Sequence, residues 1–408
     1  MEGWYFKLSL ENGAQFAYMF SAQDLDVPGA GTPATHVGAQ VMGPGDSYLC
    51  RMARGMDRAK RAGFRADARE CSLSASLPGE GFFDSTPTAH RGALTDDGST
   101  ADLVGFGSIA LACRWEYEVE LVSGWGGDAP RATAGWLASL PVFEPHWQVM
   151  VSHGLARGWV EWDVPNQEGA VSTVRYDFDA APFYAEKNWG GETFPERWFW
   201  AQCNAGWAEG NGAEDEGASD ALAGLTLTAG GGRRALPLVP GGAAEDVAMI
   251  GVHMPGGEFL EWQPQAASVR WMVAPWGSWH FSGRSETHEI EIMATAEAKG
   301  STLRAPTTRG LVPMCRDTFD GAVSLRIWAL DAGGRRVGGS PMVDAKSNNC
   351  ACEVGGGPWW EPWEGEARFG GGRIPKEGED LAKAIVGLPF DMPALNALLP
   401  NGLRIPGL

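Results

Sequence analysis

The sequence predicts an all-β protein, a sandwich or a barrel, and three observations carry that expectation. Short runs of alternating apolar and polar residues recur along it, punctuated by Gly and Pro. No helix of convincing length and period interrupts them. Glu2-Gly-Trp-Tyr-Phe and Glu196-Arg-Trp-Phe-Trp share the form Glu-x-Trp-aromatic-aromatic, each opening a strand. Two units of similar length that begin alike suggest tandem barrels, split near residue 180.

In order, residues 2–23 read as a hairpin, with strands at 4–10 and 15–22 around a turn at 11–14. Segments 36–42 and 48–52 flank a Gly-Pro-Gly-Asp turn and read the same way. Within 63–77 the pattern is weaker, Phe64, Ala66 and Ala68 alternating against Arg65, Asp67 and Arg69. Strands recur at 101–111, 115–121, 147–151 and 155–162, then at 222–228, 247–253, 259–263, 269–273 and 279–282. Ile290, Ile292 and Ala294 share one face, as do Val323, Leu325 and Ile327. The acidic, glycine-rich residues 209–220 read as a disordered surface loop, and 364–378 as a polar linker.

Helical spacing occurs only in 380–399, at Leu381, Ala384, Ile385 and Leu388, then Leu395, Leu398 and Leu399. Pro389 breaks it, and Lys383 with Asp391 exclude a membrane span. Packing on the second barrel is its expected role, lying on a lipid surface the alternative. The expected division is 1–180, 181–363, and a linker with a helical tail at 364–408.

A hydrophobic fraction of 44% and a charged fraction of 20% describe a soluble globular protein. The net charge of -19 argues against nucleic acid and against electrostatic docking on anionic lipid, so any membrane contact must be hydrophobic. Nineteen Trp beside 57 Gly fits an aromatic-lined apolar cavity better than a helical bundle. The seven Cys, widely spaced and without CxxC pairs, read as reduced thiols.

Several familiar signals fail. Gly105-Phe-Gly107-Ser-Ile-Ala110 precedes strand-like sequence, with no helix N-terminus for a pyrophosphate. There is no G-x-S-x-G elbow. The His residues lack HExxH or H-x3-H spacing, and a metal site from His146 and His153 would need a carboxylate such as Glu144. The glycine clusters at 230–234 and 370–373 read as turns rather than anion cradles.

Chemistry concentrates in 184–204, YAEKNWGGETFPERWFWAQCN, where Glu186 and Lys187 sit among Tyr184, Trp189, Phe194, Trp198, Phe199 and Trp200. Desolvation among such rings disfavours a carboxylate and would leave Glu186 a proton to give near neutral pH. The alternative is a surface salt bridge between Glu186 and Lys187.

This stretch resembles the signature of the tocopherol cyclases. Further blocks of that family occur in order: EGWYFK (2–7), PVFEPHWQVMVSHGLARGWVEW (141–162), AGGGR (229–233) and IGVH (250–253). RWMVAPWGSW (270–279), APTT (305–308), CRD (315–317) and VGGGPW (354–359) follow, so the resemblance covers nearly the whole chain. It implies kinship with the carotenoid hydratases and hence two tandem lipocalin-like (calycin-type) β-barrels. It also implies a plastid enzyme of vitamin E biosynthesis that touches plastoglobule or thylakoid lipid peripherally. A transit peptide and the family's first strand are then expected upstream of this chain.

The reaction so implied is an isomerase- or lyase-type cyclisation. A general acid protonates the alkene of a phytyl-benzoquinol, the phenol oxygen traps the tertiary cation, and a base takes the phenolic proton. Nothing is oxidised or reduced, so neither cofactor nor metal is required. The acid must be buried, the cation must face aromatic rings, and the tail needs an apolar cavity. Glu186 is the nominated acid, Trp189 the cation's aromatic face, and Asn188 or Lys187 the contact to the quinol oxygens. In the related hydratases this stretch resembles Asp-His-x-Trp; here Glu186-Lys187-Asn188-Trp189 keeps the Trp but has Lys for His.

Glu144 and His146 are second candidates, set against a loop held by Pro145. Asp317 is the third, set against an Arg316–Asp317 ion pair. Trp147, Trp198, Trp200, Trp271 and Trp276 are expected to line the substrate site or core. Two competing readings are a hydratase, in which water traps the same cation, and a non-catalytic lipocalin-like carrier of prenyl-lipids.

Overall fold

A computed structural model describes residues 1–25, 34–67, 72–77, 79, 81–96, 111–127, 129–135, 138, 144–166, 170–191, 193–210, 218–235, 244–297, 299–356 and 362–368. The helical spacing at 380–399 and most of the strand expected at 101–111 lie outside these residues. The described chain is almost entirely strand, gathered into two large curled antiparallel sheets. That is the tandem barrel-like fold the sequence predicts.

The first sheet uses β1 (Glu2–Ser9), β2 (Gln15–Gln23), β3 (His36–Gly43), β4 (Ser47–Arg54), β5 (Arg65–Asp67) and β6 (Ser72–Leu77). It continues with β7 (Gly81–Ser85), β8 (Ala89–Thr95), β9 (Ala112–Ser123), β10 (His146–Pro165) and β11 (Val171–Trp189). Their order is β4-β3-β2-β1-β11-β10-β9-β8-β7-β6-β5. A short helix that the alternation had not indicated, α1 (Met56–Arg61), follows β4.

The second sheet begins with β12 (Arg197–Cys203), β13 (Ala208–Glu209), β14 (Thr226–Ala235), β15 (Ala244–His253), β16 (Phe259–Trp262) and β17 (Ser268–Val273). It ends with β18 (Ser278–Arg284), β19 (His288–Ala296), β20 (Ser301–Thr307), β21 (Gly310–Ala329), β22 (Val343–Gly356) and β23 (Trp363–Ala367). The main path runs β16-β15-β14-β12-β22-β21-β19-β18-β17-β23, with β13 on β22 and β20 on β21.

Contacts divide the chain into two units that interleave in sequence, where the reading near residue 180 has them consecutive. Unit one comprises Met1–Gly124, Val149–Phe194 and Ala298–Asp320; unit two comprises Trp125–Gln148, Pro195–Glu297 and Gly321–Leu408.

Period-two alternation explains the clearest strands. In β9, Cys113, Trp115, Tyr117 and Val119 are buried while Arg114, Glu116, Glu118 and Glu120 are exposed. The segments read as separate strands at 147–151 and 155–162 form one strand, β10. Its register against β9 shifts between His153 and Gly154, and this bulge breaks the sequence pattern.

Tryptophan and glycine are linked by cross-strand pairing. Gly92 faces Trp115, Gly365 faces Trp271 and Gly355 faces Trp198. A Cβ at any of these glycines would run into the indole. A ring laid flat over a bare backbone buries large apolar area where any side chain would clash. The same logic corrects the reading of 230–234 as a turn: these residues are mid-strand in β14. A Cβ at Gly230 would lie 2.8 Å from the Trp147 ring, and one at Gly232 3.0 Å from Pro195. Cys50, Cys113, Cys203, Cys315, Cys350 and Cys352 are buried thiols.

Two histidines in unit one are buried as neutral rings. Burial holds His36 at a pKa of about 4 and His90 at about 3. Each stays neutral in the fold and protonates on unfolding, so its contribution is complete above about pH 6.5 and lost as pH falls toward those values. Between pH 6 and 5 the pair should cost up to about 3 kcal/mol of stability, at about 1.4 kcal/mol per proton per pH unit. Urea unfolding midpoints across pH 5–7 measure this; a flat profile would exclude it.

Candidate active site

Pairing of β1 with β11 sets Gly3 opposite Asn188, Tyr5 opposite Glu186 and Lys7 opposite Tyr184. Trp4, Phe6 and Leu8 belong to the apolar core of unit one, with Phe183 and Ala185 from β11. Alternation therefore puts Tyr5, Lys7, Tyr184, Glu186 and Asn188 on the other face. A solvated face would be expected there, yet Lys7 is 1% exposed, Tyr184 fully buried and Glu186 8% exposed.

A segment far along the chain contributes to this buried face. Ala298–Asp320, the β20–β21 hairpin, belongs to unit one and is fastened by paired polar groups. The Arg304 N–H donates to Gln40 Oε1 at 2.9 Å, and Gln40 Nε2 donates back to the Arg304 carbonyl at 3.0 Å. Asp46 accepts from the Thr318 hydroxyl at 2.7 Å and the Phe319 N–H at 3.1 Å. The last two bonds anchor β21 at the residues next to Asp317, which is fully buried.

The Tyr184 hydroxyl donates to Glu186 Oε2 at 2.6 Å, and Asn188 Nδ2 donates to Oε1 at 3.4 Å. The Tyr5 hydroxyl donates to Asp317 Oδ2 at 3.4 Å. The Tyr5 and Tyr184 rings meet edge-on with centres 6.5 Å apart. Lys7 Nζ donates to Ser9 Oγ at 3.0 Å, Ser9 Oγ donates to Gln15 Oε1 at 3.2 Å, and Gln15 Nε2 donates to the Phe319 carbonyl at 3.2 Å. Two buried carboxyls, each engaged by a phenol, thus share one face with a buried ammonium. The short Tyr184–Glu186 contact lets a proton be held or handed on.

Glu186 and Lys187 are not an acid–base pair, because successive strand residues leave on opposite faces. Lys187 instead pairs with Glu2 Oε2 at 3.0 Å, and its ammonium lies 4.6 Å from the centre of the Trp4 ring and 5.5 Å from that of Trp189. This corrects the salt-bridge alternative. Trp189 accordingly faces Lys187, and the ring hydrogen-bonded to Glu186 is that of Tyr184. Arg316 is exposed while Asp317 is buried, so they too occupy opposite faces of β21.

The other nominated residues lie in unit two. Glu144 precedes a cis peptide bond to Pro145. His146 is buried, and burial, helped by the Arg234 guanidinium, pushes its pKa down. Arg234 itself pairs with Glu245. Trp147 meets Trp125 edge-on at 6.2 Å between ring centres. Trp198 donates its ring N–H to Glu353. Trp200 is buried, and Trp271 is packed into the core against Phe199 and Trp363. Trp276 packs at the edge of that core against Trp279. Among the described residues no three His, Cys, Asp or Glu side chains form a metal-holding group.

Tyr5, Lys7 and Tyr184 were not nominated from sequence. Their only local signal is a polar residue at every second position of two segments, Tyr5-x-Lys7-x-Ser9 and Tyr184-x-Glu186-x-Asn188.

Fold and site define a two-sheet, barrel-like protein with a buried carboxyl–phenol cluster suited to moving a proton. The chain belongs to the tocopherol cyclase family: the tocopherol cyclase-like family model matches residues 1–356. It is 38% identical over 440 aligned positions to a probable tocopherol cyclase, chloroplastic, of Oryza sativa subsp. japonica, covering 100% of this chain and 84% of the relative. A chloroplastic tocopherol cyclase of Zea mays is 36% identical, with 100% and 83% covered. The solved structure of CghA with Sch210972 aligns at a TM-score of 0.44 and 9% identity over 87% of this chain and 88% of that one; so loose a likeness bears on nothing functional.

Proposed function

We propose that this chain is a tocopherol cyclase that closes the chromanol ring of a prenylated benzoquinol, with the chemistry centred on Glu186. Identity of 36–38% to named tocopherol cyclases along the whole of this chain supports the reaction. The Glu186 cluster supports the assignment of the acid.

A proton passes from the Glu186 carboxyl to the alkene at its less substituted carbon. The phenol oxygen then bonds to the tertiary carbon and its proton returns to a carboxylate, so atoms and charge balance without an oxidant. Tyr184 and Asn188 hold the two oxygens of Glu186, and Tyr5 with Asp317 stand one strand away as a second acceptor for the phenolic proton. The Tyr5 and Tyr184 rings offer negative faces to the cation, worth about 0.5–2 kcal/mol per ring. Burial of Tyr5, Tyr184, Glu186 and Asp317 keeps out the water that would quench the cation to an alcohol.

The substrate is accordingly a prenylated hydroquinone lipid. The chloroplastic relatives support a plastid location, and contact with plastoglobule lipid through apolar surface accords with the net charge of -19. Mass spectrometry of the product tests the reading. A product isomeric with the quinol is expected. One heavier by a water would make the enzyme a hydratase, and an unchanged ligand would make the protein a carrier.

A further inference from the structure

Ser85, His90 and Tyr117 form a row across β7, β8 and β9, Ser85 paired with His90 and His90 with Tyr117. The row is buried in unit one, where Tyr18 of β2 meets Tyr117 with ring centres 5.9 Å apart. None of these four side chains is more than 3% exposed. Among the described residues, neither ring nitrogen of His90 and none of the three hydroxyls has a hydrogen-bond partner. Phe6 and Phe183 lie 4.7 and 5.2 Å from His90 between ring centres, and Trp115 lies 4.8 Å from Tyr18.

Native cores seldom leave buried polar atoms unsatisfied, and four such side chains in one place are harder still to explain by packing. All four are neutral, because burial holds the His90 pKa at about 3 and raises both phenols well above their ordinary value. A neutral imidazole offers one donor and one acceptor, and each hydroxyl offers both. That set suits an uncharged molecule that gives and takes hydrogen bonds, and the surrounding rings suit a flat apolar one. A phenol on an apolar tail has both properties.

We propose that the interior of unit one contains a second binding site, on the opposite side of the sheet from Glu186, for the hydroxylated aromatic head of a prenyl-lipid, held by His90, Tyr117, Tyr18 and Ser85. The choice of lipid rests on the cyclase reading; quinol substrate and chromanol product share the phenolic chemistry.

Isothermal titration of the full chain distinguishes these sources. One arm uses a chromanol. A second uses the reduced prenylated quinol on Glu186→Gln, where turnover should not consume it, and a third uses the O-methylated chromanol. Binding of at least one phenol is expected, weakened about tenfold or more by His90→Phe and by Tyr117→Phe. The methyl ether should bind the parent as weakly. Tyr117→Phe removes one oxygen and keeps the ring, so it decides the matter if His90→Phe does not fold. Affinities within twofold of the parent in the folded variants, with a raised melting temperature, would mean that the groups hold only water and would overturn the proposal. Undiminished turnover by Glu186→Gln would refute the acid assignment instead, and the chromanol arm would still test this site.

Discussion

Glu186→Gln should lower kcat by about 10²–10⁴-fold, the usual worth of a positioned general acid. Glutamine keeps the shape and can still accept from the Tyr184 hydroxyl, so the fold and KM should change little. The assay is steady-state chromanol formation from a reduced prenylated quinol. A kcat within tenfold of the parent would place the acid elsewhere. Asp317→Asn is the companion variant: if Asp317 only receives the phenolic proton, it should slow turnover less than Glu186→Gln does.

Trp115→Ala should destabilise the protein by about 3–5 kcal/mol, since the indole is 2% exposed and little can close over the space it leaves. Gly92→Ala should also destabilise, because its Cβ would strike the same ring. If the flat pairing of indole on glycine is what matters, combining the two should cost less than the sum, the new methyl entering the space the indole vacated. Chemical unfolding of the three variants measures this. Additive losses, or a loss under 1 kcal/mol for Trp115→Ala, would contradict the packing argument.

The hairpins of β1–β2 and β3–β4 were legible because each is a local alternation closed by a turn. Ile290, Ile292 and Ala294 were legible for the same reason, and all three are fully buried. The abundance of Trp and Gly was visible, but its meaning depended on which strands pair: Gly92 lies on β8 and Trp115 on β9, with residues 96–111 between those strands. The buried polar face was hidden more deeply. Tyr5, Lys7 and Ser9 alternate as a solvated face would, and only the unit's hairpin at 298–320, nearly three hundred residues later, reveals its covering. Glu186 stood out because aromatic residues surround it in sequence. Its actual neighbours, Tyr184, Asn188 and Tyr5, follow from strand register, and register also sends Lys187 and Trp189 to the other side.

In the proposed mechanism a buried carboxyl protonates the alkene. The most direct test of this step is to run the reaction in deuterated water and locate the label in the product. One deuterium is expected, on the ring carbon next to the new carbon–oxygen centre. A chromanol carrying no solvent-derived deuterium there would contradict it.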